Sequence, residues 1–214
     1  MQFSRNRPLA LDTSGSSLNT FEELHPHKML VYLAILGSSL IFAFMIIAFS
    51  ATYSFQAERG MVQELVVPKA FTISTIVLLI SSYFVSRFIR AWKKENLKKL
   101  RNLLAITVGL GFVFTISQYY GWNNLDTSGK TLGDIGSGAY LYVISGLHIL
   151  HLVVAMFFMT YQFIHISNTA NDPVKTLVAV TNPYQKMRIE MLSTYWHFMD
   201  FLWLAIFLYF LFWF

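Results

Sequence analysis

The sequence predicts an all-α fold, a polytopic membrane bundle of five transmembrane helices with its N-terminus inside and its C-terminus outside. Three observations carry that expectation. Of the 214 residues, 55% are hydrophobic and 13% charged, a balance too apolar for an ordinary soluble domain. Five runs can reach across a hydrocarbon layer of ~30 Å at about 1.5 Å per residue, and they are apolar on nearly all sides rather than along one stripe. The basic residues then fall in alternate connections. With the N-terminus inside, 13 of the 16 Lys and Arg lie on the inner side, and only Arg59, Lys69 and Lys130 lie outside.

Residues 1–27 read as a polar tail carrying Arg5, Arg7, Asp12, Glu22 and Glu23, with no apolar stretch like the core of a signal peptide. The first crossing is therefore expected to stay as an anchor, and residues 28–214 form the transmembrane domain. The first helix, about 29–53, has Gly37, Ser38 and Ser39 near its middle, small enough for close helix contact. The second, about 68–90, opens on Pro68 in its first turn and carries Thr72, Ser74, Thr75, Ser81 and Ser82. Arg87 and Arg90 at its end can snorkel to the headgroups. The third, about 102–122, pairs Ala105 with Gly109 and places Thr107, Gly111, Thr115 and Gln118 on one face. The fourth and fifth cover about 136–164 and 190–213. The stretch "SNTANDPVKTLVAVTNP" between them reads as the longest connection.

Charge and cysteine usage narrow the chemistry. The net charge of +5 is a topology signal, and the basic cluster "RFIRAWKKENLKKLR" between two spans suits an anionic lipid surface better than a nucleic acid. The absence of cysteine removes disulfides, thiolate metal sites, iron–sulfur clusters and covalently attached haem. No serine–histidine–acid arrangement and no glycine-rich phosphate loop stands out.

The polar residues inside the spans are the candidate site. On the fourth helix Ser145, His148 and His151 follow an i, i+3, i+6 spacing, with His148 about 16 Å and His151 about 21 Å below its outer end. On the fifth, Glu190, Ser193, Thr194, His197 and Asp200 form a stripe whose last two members lie about 10 and 15 Å above Glu190. Both sets reach the middle of the bilayer. An exposed charge there costs roughly 2.5–3.5 kcal/mol on insertion scales, so Asp200 must face protein and find a donor, or carry a proton. Four readings follow. His148, His151, His197 and Asp200 can be metal or haem ligands, or a half-path for protons. Lys186, Arg188 and Trp196 can bind a lipid headgroup. His148, His151, His197, Asp200 and Gln118 can form a polar seam that hydrogen-bonds helices together. On the residues alone the seam ranks first, the proton relay second and the metal last.

"TYWHFMDFLWLAIFLYF" (residues 194–210) resembles the final helix of subunit III of haem–copper terminal oxidases, where Tyr-Trp-His-Phe-x-Asp-x-x-Trp-Leu recurs. "GSGAYLYVISGLHILH" (136–151) is similar to that family's penultimate helix with its Gly-x-His-x-x-His signature, here Gly146, His148 and His151. Leu110, Gly111, Phe114 and Gln118 in the third helix, and Ser74, Leu78, Leu79, Ser81 and Ser82 in the second, follow further family patterns. The resemblance covers roughly residues 66–214 and matches the five-helix bacterial form, lacking the first two helices of seven-helix members. It departs twice. No acid stands around Leu36, Gly37 and Ser38, where the family often has a glutamate, and Gly121 follows Gln118 where an acid is common.

The resemblance implies a multi-pass subunit of the bacterial cytoplasmic membrane with no cofactor of its own. Haem and copper would belong to subunits I and II, its expected partners, with a larger respiratory supercomplex as a further assembly. Such a subunit flanks subunit I, binds phospholipid and supports proton uptake. The same resemblance admits a subunit of a quinol oxidase or a nitric oxide reductase. A stand-alone membrane haem protein is the alternative from another class. On this reading Asp200 and His197 pin the last helix to the penultimate one through His148 or His151.

Overall fold

In an apolar medium a chain satisfies its own backbone N–H and C=O groups as a helix or a closed barrel, and all-round apolar runs of this length take the first course. The computed structural model describes residues 26–60, 69–127 and 137–213. Its helices are α1 (Pro26–Glu58), α2 (Lys69–Val85), α3 (Phe88–Lys93), α4 (Leu97–Thr127), α5 (Ser137–Thr169), α6 (Pro173–Thr181) and α7 (Pro183–Trp213). Among the described residues five segments are long and apolar enough to cross a membrane: Pro26–Glu58, Lys69–Lys93, Leu97–Thr127, Ala139–Thr169 and Pro183–Phe212. The number of spans agrees with the sequence reading, and the helices run several residues beyond most of the expected limits. The proposed tail lies almost wholly outside the described residues.

Two stretches differ from expectation. The second crossing is one run in the sequence but divides into α2 and α3, because the Arg87 N–H turns to Phe84 O at 3.1 Å and tightens the helix by one residue. The connection before the last crossing holds a helix, α6. Asp172 is its N-cap, accepting from the Val174 N–H at 2.9 Å, and Pro173 occupies the first turn, where its missing N–H is harmless. Asp-Pro was the legible signal for that helix.

The α3–α4 turn is held by its backbone. Glu95 adopts a left-handed conformation (φ 54°), with Glu95 N–H bonded to Trp92 O and Asn96 N–H to Ala91 O, the pattern that usually ends a helix on glycine. Asn96 Oδ1 then caps α4 through the Lys99 N–H at 2.9 Å.

The core lies between α2, α4, α5 and α7. Close approach of α4 to α2 depends on Gly121, where a Cβ would stand 2.6 Å from a ring carbon of Phe71. Gly111 meets Met156 of α5 in the same way, with a Cβ position 3.0 Å from its sulfur. The small pair Ala105 and Gly109, by contrast, is exposed on the outer face of α4, and nothing lies near the Gly109 position. Helix α1 is peripheral and buries only Ser38, Phe42 and Phe49.

Its two ends show how the bundle is arranged. At one end Lys28 of α1 and Lys186 both pair with Glu190 of α7, at 3.8 and 3.6 Å. The α3–α4 turn and α6 lie at this end too, which gathers most of the described cations. At the other, Ser50 meets Tyr209 of α7 and Thr52 meets Tyr140 of α5, at 2.5 and 2.9 Å.

Candidate functional site

Helix α7 carries Trp196, His197, Asp200 and Trp203 into the interior, and its neighbour α2 runs antiparallel to it with hydroxyls in register. The Trp196 Nε1–H donates to Ser81 Oγ at 3.0 Å, and the Trp203 Nε1–H donates to Thr75 Oγ1 at 3.1 Å. Beside the first of these bonds His197 Nδ1 is joined to Ser82 Oγ at 2.9 Å. The two indoles are seven residues apart on α7, about 10 Å, and their acceptors are six apart on α2, about 9 Å. A buried indole N–H needs an acceptor, and in hydrocarbon no water supplies one. The three bonds therefore fix the register of the two helices.

Other polar groups extend this belt. Gln118 of α4 is fully buried, and its Nε2 donates to Ser74 Oγ at 2.7 Å. The Ser74 and Thr75 hydroxyls both donate to Phe71 O at 2.8 Å, so each accepts from a neighbouring helix while donating to its own backbone. On α4, the Trp122 Nε1–H donates to Ser145 Oγ of α5 at 2.9 Å, and the Tyr142 hydroxyl returns a bond to Trp122 O at 2.9 Å.

The two histidines of α5 part company. His148 is fully buried in an aromatic box, 4.9 Å from the Trp203 ring and 5.6 Å from the Phe114 ring between centroids. Phe71 stacks on the same indole at 5.9 Å. Neither His148 nitrogen has a hydrogen-bond partner among the described residues. His151 donates from Nδ1 to Leu147 O of its own helix at 2.8 Å and packs its ring on Phe42 of α1.

Asp200 is 7% exposed, and neither carboxyl oxygen has a hydrogen-bond partner among the described residues. The Ser82 hydroxyl faces it without meeting hydrogen-bond geometry. The expected pin from Asp200 and His197 to a histidine of α5 is thus not what the structure forms. The bonds run from α7 to α2 instead, because the α2 hydroxyls match the spacing of the α7 donors and aromatic rings enclose His148. Among the described residues no three His, Asp or Glu side chains converge as a metal-binding group.

The three residues considered for a headgroup also separate. Trp196 is fully buried and bonded to Ser81, which removes it from any lipid-facing surface. Lys186 is exposed and paired with Glu190. Arg188 is half-buried, places its guanidinium 4.5 Å from the centre of the Tyr184 ring, and borders a cavity of about 400 Å³ between α1, α5 and α7. That cavity is walled by apolar side chains such as Leu30, Val154, Phe158 and Met191, with Gln162 at its edge.

The residues the sequence reading missed are Thr75, Ser81, Trp196 and Trp203 acting as bonded pairs. Their signal was present. Hydroxyl pairs recur seven residues apart at 74–75 and 81–82, and the tryptophans of the last span share that interval.

This arrangement coincides with a family match that takes in all the described residues. The model for the family described as cytochrome c oxidase subunit III matches residues 25–214. The chain belongs to that family. A protein of Mycobacterium tuberculosis named "Probable cytochrome c oxidase subunit 3" is 27% identical over 133 residues, 62% of this chain and 61% of that one. Proteins named "Cytochrome c oxidase subunit 3" from Corynebacterium diphtheriae and Oryctolagus cuniculus are 25% and 28% identical over 142 and 141 residues. Those matches cover 66% and 63% of this chain, and 64% and 47% of the relatives. The chain thus spans about three-fifths of the length of the first bacterial relatives. In this member of the subunit III family, Trp196 and His197 of the Trp-His-x-x-Asp segment join α7 to α2.

Proposed function

We propose that the chain is the non-catalytic subunit III of a proton-pumping haem–copper oxidase in a bacterial cytoplasmic membrane. It flanks the subunit that carries the redox centres, holds phospholipid and sustains proton uptake through its contact with that subunit. N-terminus inside is the orientation the cation-rich end of the bundle supports. One observation carries the reading: the family match extends over residues 25–214, and the polar groups inside it are largely occupied in joining α2, α4 and α7 to one another. The apolar cavity beside Arg188 supports the lipid part, since it pairs a cation with a hydrocarbon-lined space of about 400 Å³.

The test is purification of the chain in mild detergent. Co-purifying partners with a six-histidine haem–copper core and a dinuclear copper motif are expected, and the chain freed from them should be colourless. A haem spectrum that stays with the isolated chain would establish the stand-alone haem protein instead. A partner carrying only a quinol-oxidising or nitric-oxide-reducing core would move the assignment within the superfamily.

A further inference from the structure

Helix α6 has two apolar sides. Thr176, Ala179 and Val180 turn inward, with Ala179 and Val180 packed on the core. Val174, Leu177 and Val178, spaced i, i+3, i+4, form the opposite face and are 71%, 63% and 64% exposed. That outer face holds no charge. Thr181 beside it donates its hydroxyl to backbone carbonyls of its own helix. The helix is preformed by its Asp172 cap and Pro173 start, so its order does not wait for a partner.

Beside it lies the α3–α4 turn. A groove of about 320 Å³ separates the two, with Glu95 and Lys98 on one wall and Pro173, Leu177 and Val180 on the other. Lys94 borders an adjoining hollow of about 270 Å³ together with Lys98 and Thr176. Lys93 and Lys99 are exposed on the same turn, so Glu95 is its single acid among four lysines. Asp172, the nearby acid of α6, is engaged by its cap bonds and by Lys175 at 3.8 Å.

An uncharged apolar face and a row of ammonium groups therefore stand side by side where two membrane spans end. That pairing is complementary to one leaflet of a bilayer at the depth where acyl chains give way to phosphate. We propose that α6 and the α3–α4 turn form one binding surface for anionic phospholipid, with Val174, Leu177 and Val178 among the first acyl carbons and Lys94 and Lys98 on the headgroup phosphate. An acidic protein surface would meet the lysines equally well but gives no reason for an uncharged face on α6. The surface is separate from the cavity at Arg188 and stands or falls independently of the oxidase assignment.

The natural lack of cysteine makes the test direct. Nitroxide labels are placed singly at L177C, V178C and K175C in the full chain, in vesicles of phosphatidylcholine with phosphatidylglycerol. Labels at 177 and 178 should collide with oxygen and be shielded from a water-soluble nickel chelate, with the reverse at 175. In a second measurement, which leaves α6 untouched, K94Q/K98Q should lower phosphatidylglycerol retained relative to phosphatidylcholine by roughly five-fold per lysine, about thirty-fold for the pair. Nickel access at 177 and 178 equal to that at 175 would overturn the proposal. So would shielding from both colliders in the co-purified complex, which would mark a protein occupant, or lipid retention unmoved by K94Q/K98Q.

Discussion

Thr75→Val tests whether the α2–α7 bonds hold the bundle together. Valine keeps the shape of threonine, so no cavity opens, but it removes the acceptor of the Trp203 Nε1–H, which lies in a side chain only 2% exposed. Phe71 O loses one of its two hydroxyl donors and keeps Ser74, so the unsatisfied group is the indole N–H. Leaving such a donor buried and unpaired costs about 1–3 kcal/mol. Trp203→Phe removes the donor as well and adds a packing loss, because the indole also contacts Phe71, Phe114 and His148. The double variant isolates the bond, and membrane double-mutant cycles average about 0.6 kcal/mol with a maximum near 1.7. Unfolding free energies in mixed micelles of graded denaturing detergent should therefore show a coupling between about 0.6 and 1.7 kcal/mol for T75V with W203F. T75V with W196F is the control. Trp196 sits about two turns away on α7, and that pair should add to within about 0.5 kcal/mol. Equal coupling in both cycles, or none in either, would show that the tryptophans act as bulk and that the hydrogen bonds do not set the register.

Three further outcomes are expected. Gly121→Ala drives a Cβ to 2.6 Å from the Phe71 ring, which is itself stacked on Trp203, so destabilisation of about 1–3 kcal/mol should appear in the same assay and be relieved by Phe71→Leu. Tyr140→Phe with Tyr209→Phe removes the hydroxyl ties of α1 to α5 and α7, together worth about 1 kcal/mol, and amide exchange over 26–58 should quicken before that of any other span. In the oxidase complex proposed above, Asp200→Asn should leave haem per assembled complex and the ratio of protons pumped per electron at their normal values. A selective fall in that ratio with intact assembly would make the buried carboxyl a proton-transfer group.

The five crossings were legible because hydrocarbon imposes one requirement on every residue of a span, and a run of apolar side chains is its direct trace. The helix α6 was hidden for the opposite reason. Nine residues carry too few turns for periodicity to declare itself, and the only local mark is Asp172-Pro173. The polar belt was legible as a set of residues but not as pairs. Spacing along one helix shows which side chains share a face, and it does not show which neighbouring helix that face meets. Asp200 and His197 share a stripe, yet His197 finds Ser82 while Asp200 finds no partner among the described residues.

The belt is also uneven, and the unevenness bears on what the chain does. Most polar groups that hold two helices together have a partner, as the Trp203 indole has Thr75 and Gln118 Nε2 has Ser74, although Gln118 Oε1 has none among the described residues. His148 and Asp200 break that pattern, each buried and each without a hydrogen-bond partner among the described residues. His148 sits against the Phe114 and Trp203 rings, and Asp200 faces Ser82. A seam that served stability alone would gain by replacing either group with an apolar one of similar shape, since a buried polar group without a partner is a net loss. His148→Phe is therefore expected to raise the unfolding free energy of the isolated chain. If the same substitution leaves assembly of the proposed complex intact, the imidazole is there for packing. If it weakens assembly while stabilising the chain alone, the ring contributes to the fit between this subunit and its neighbour.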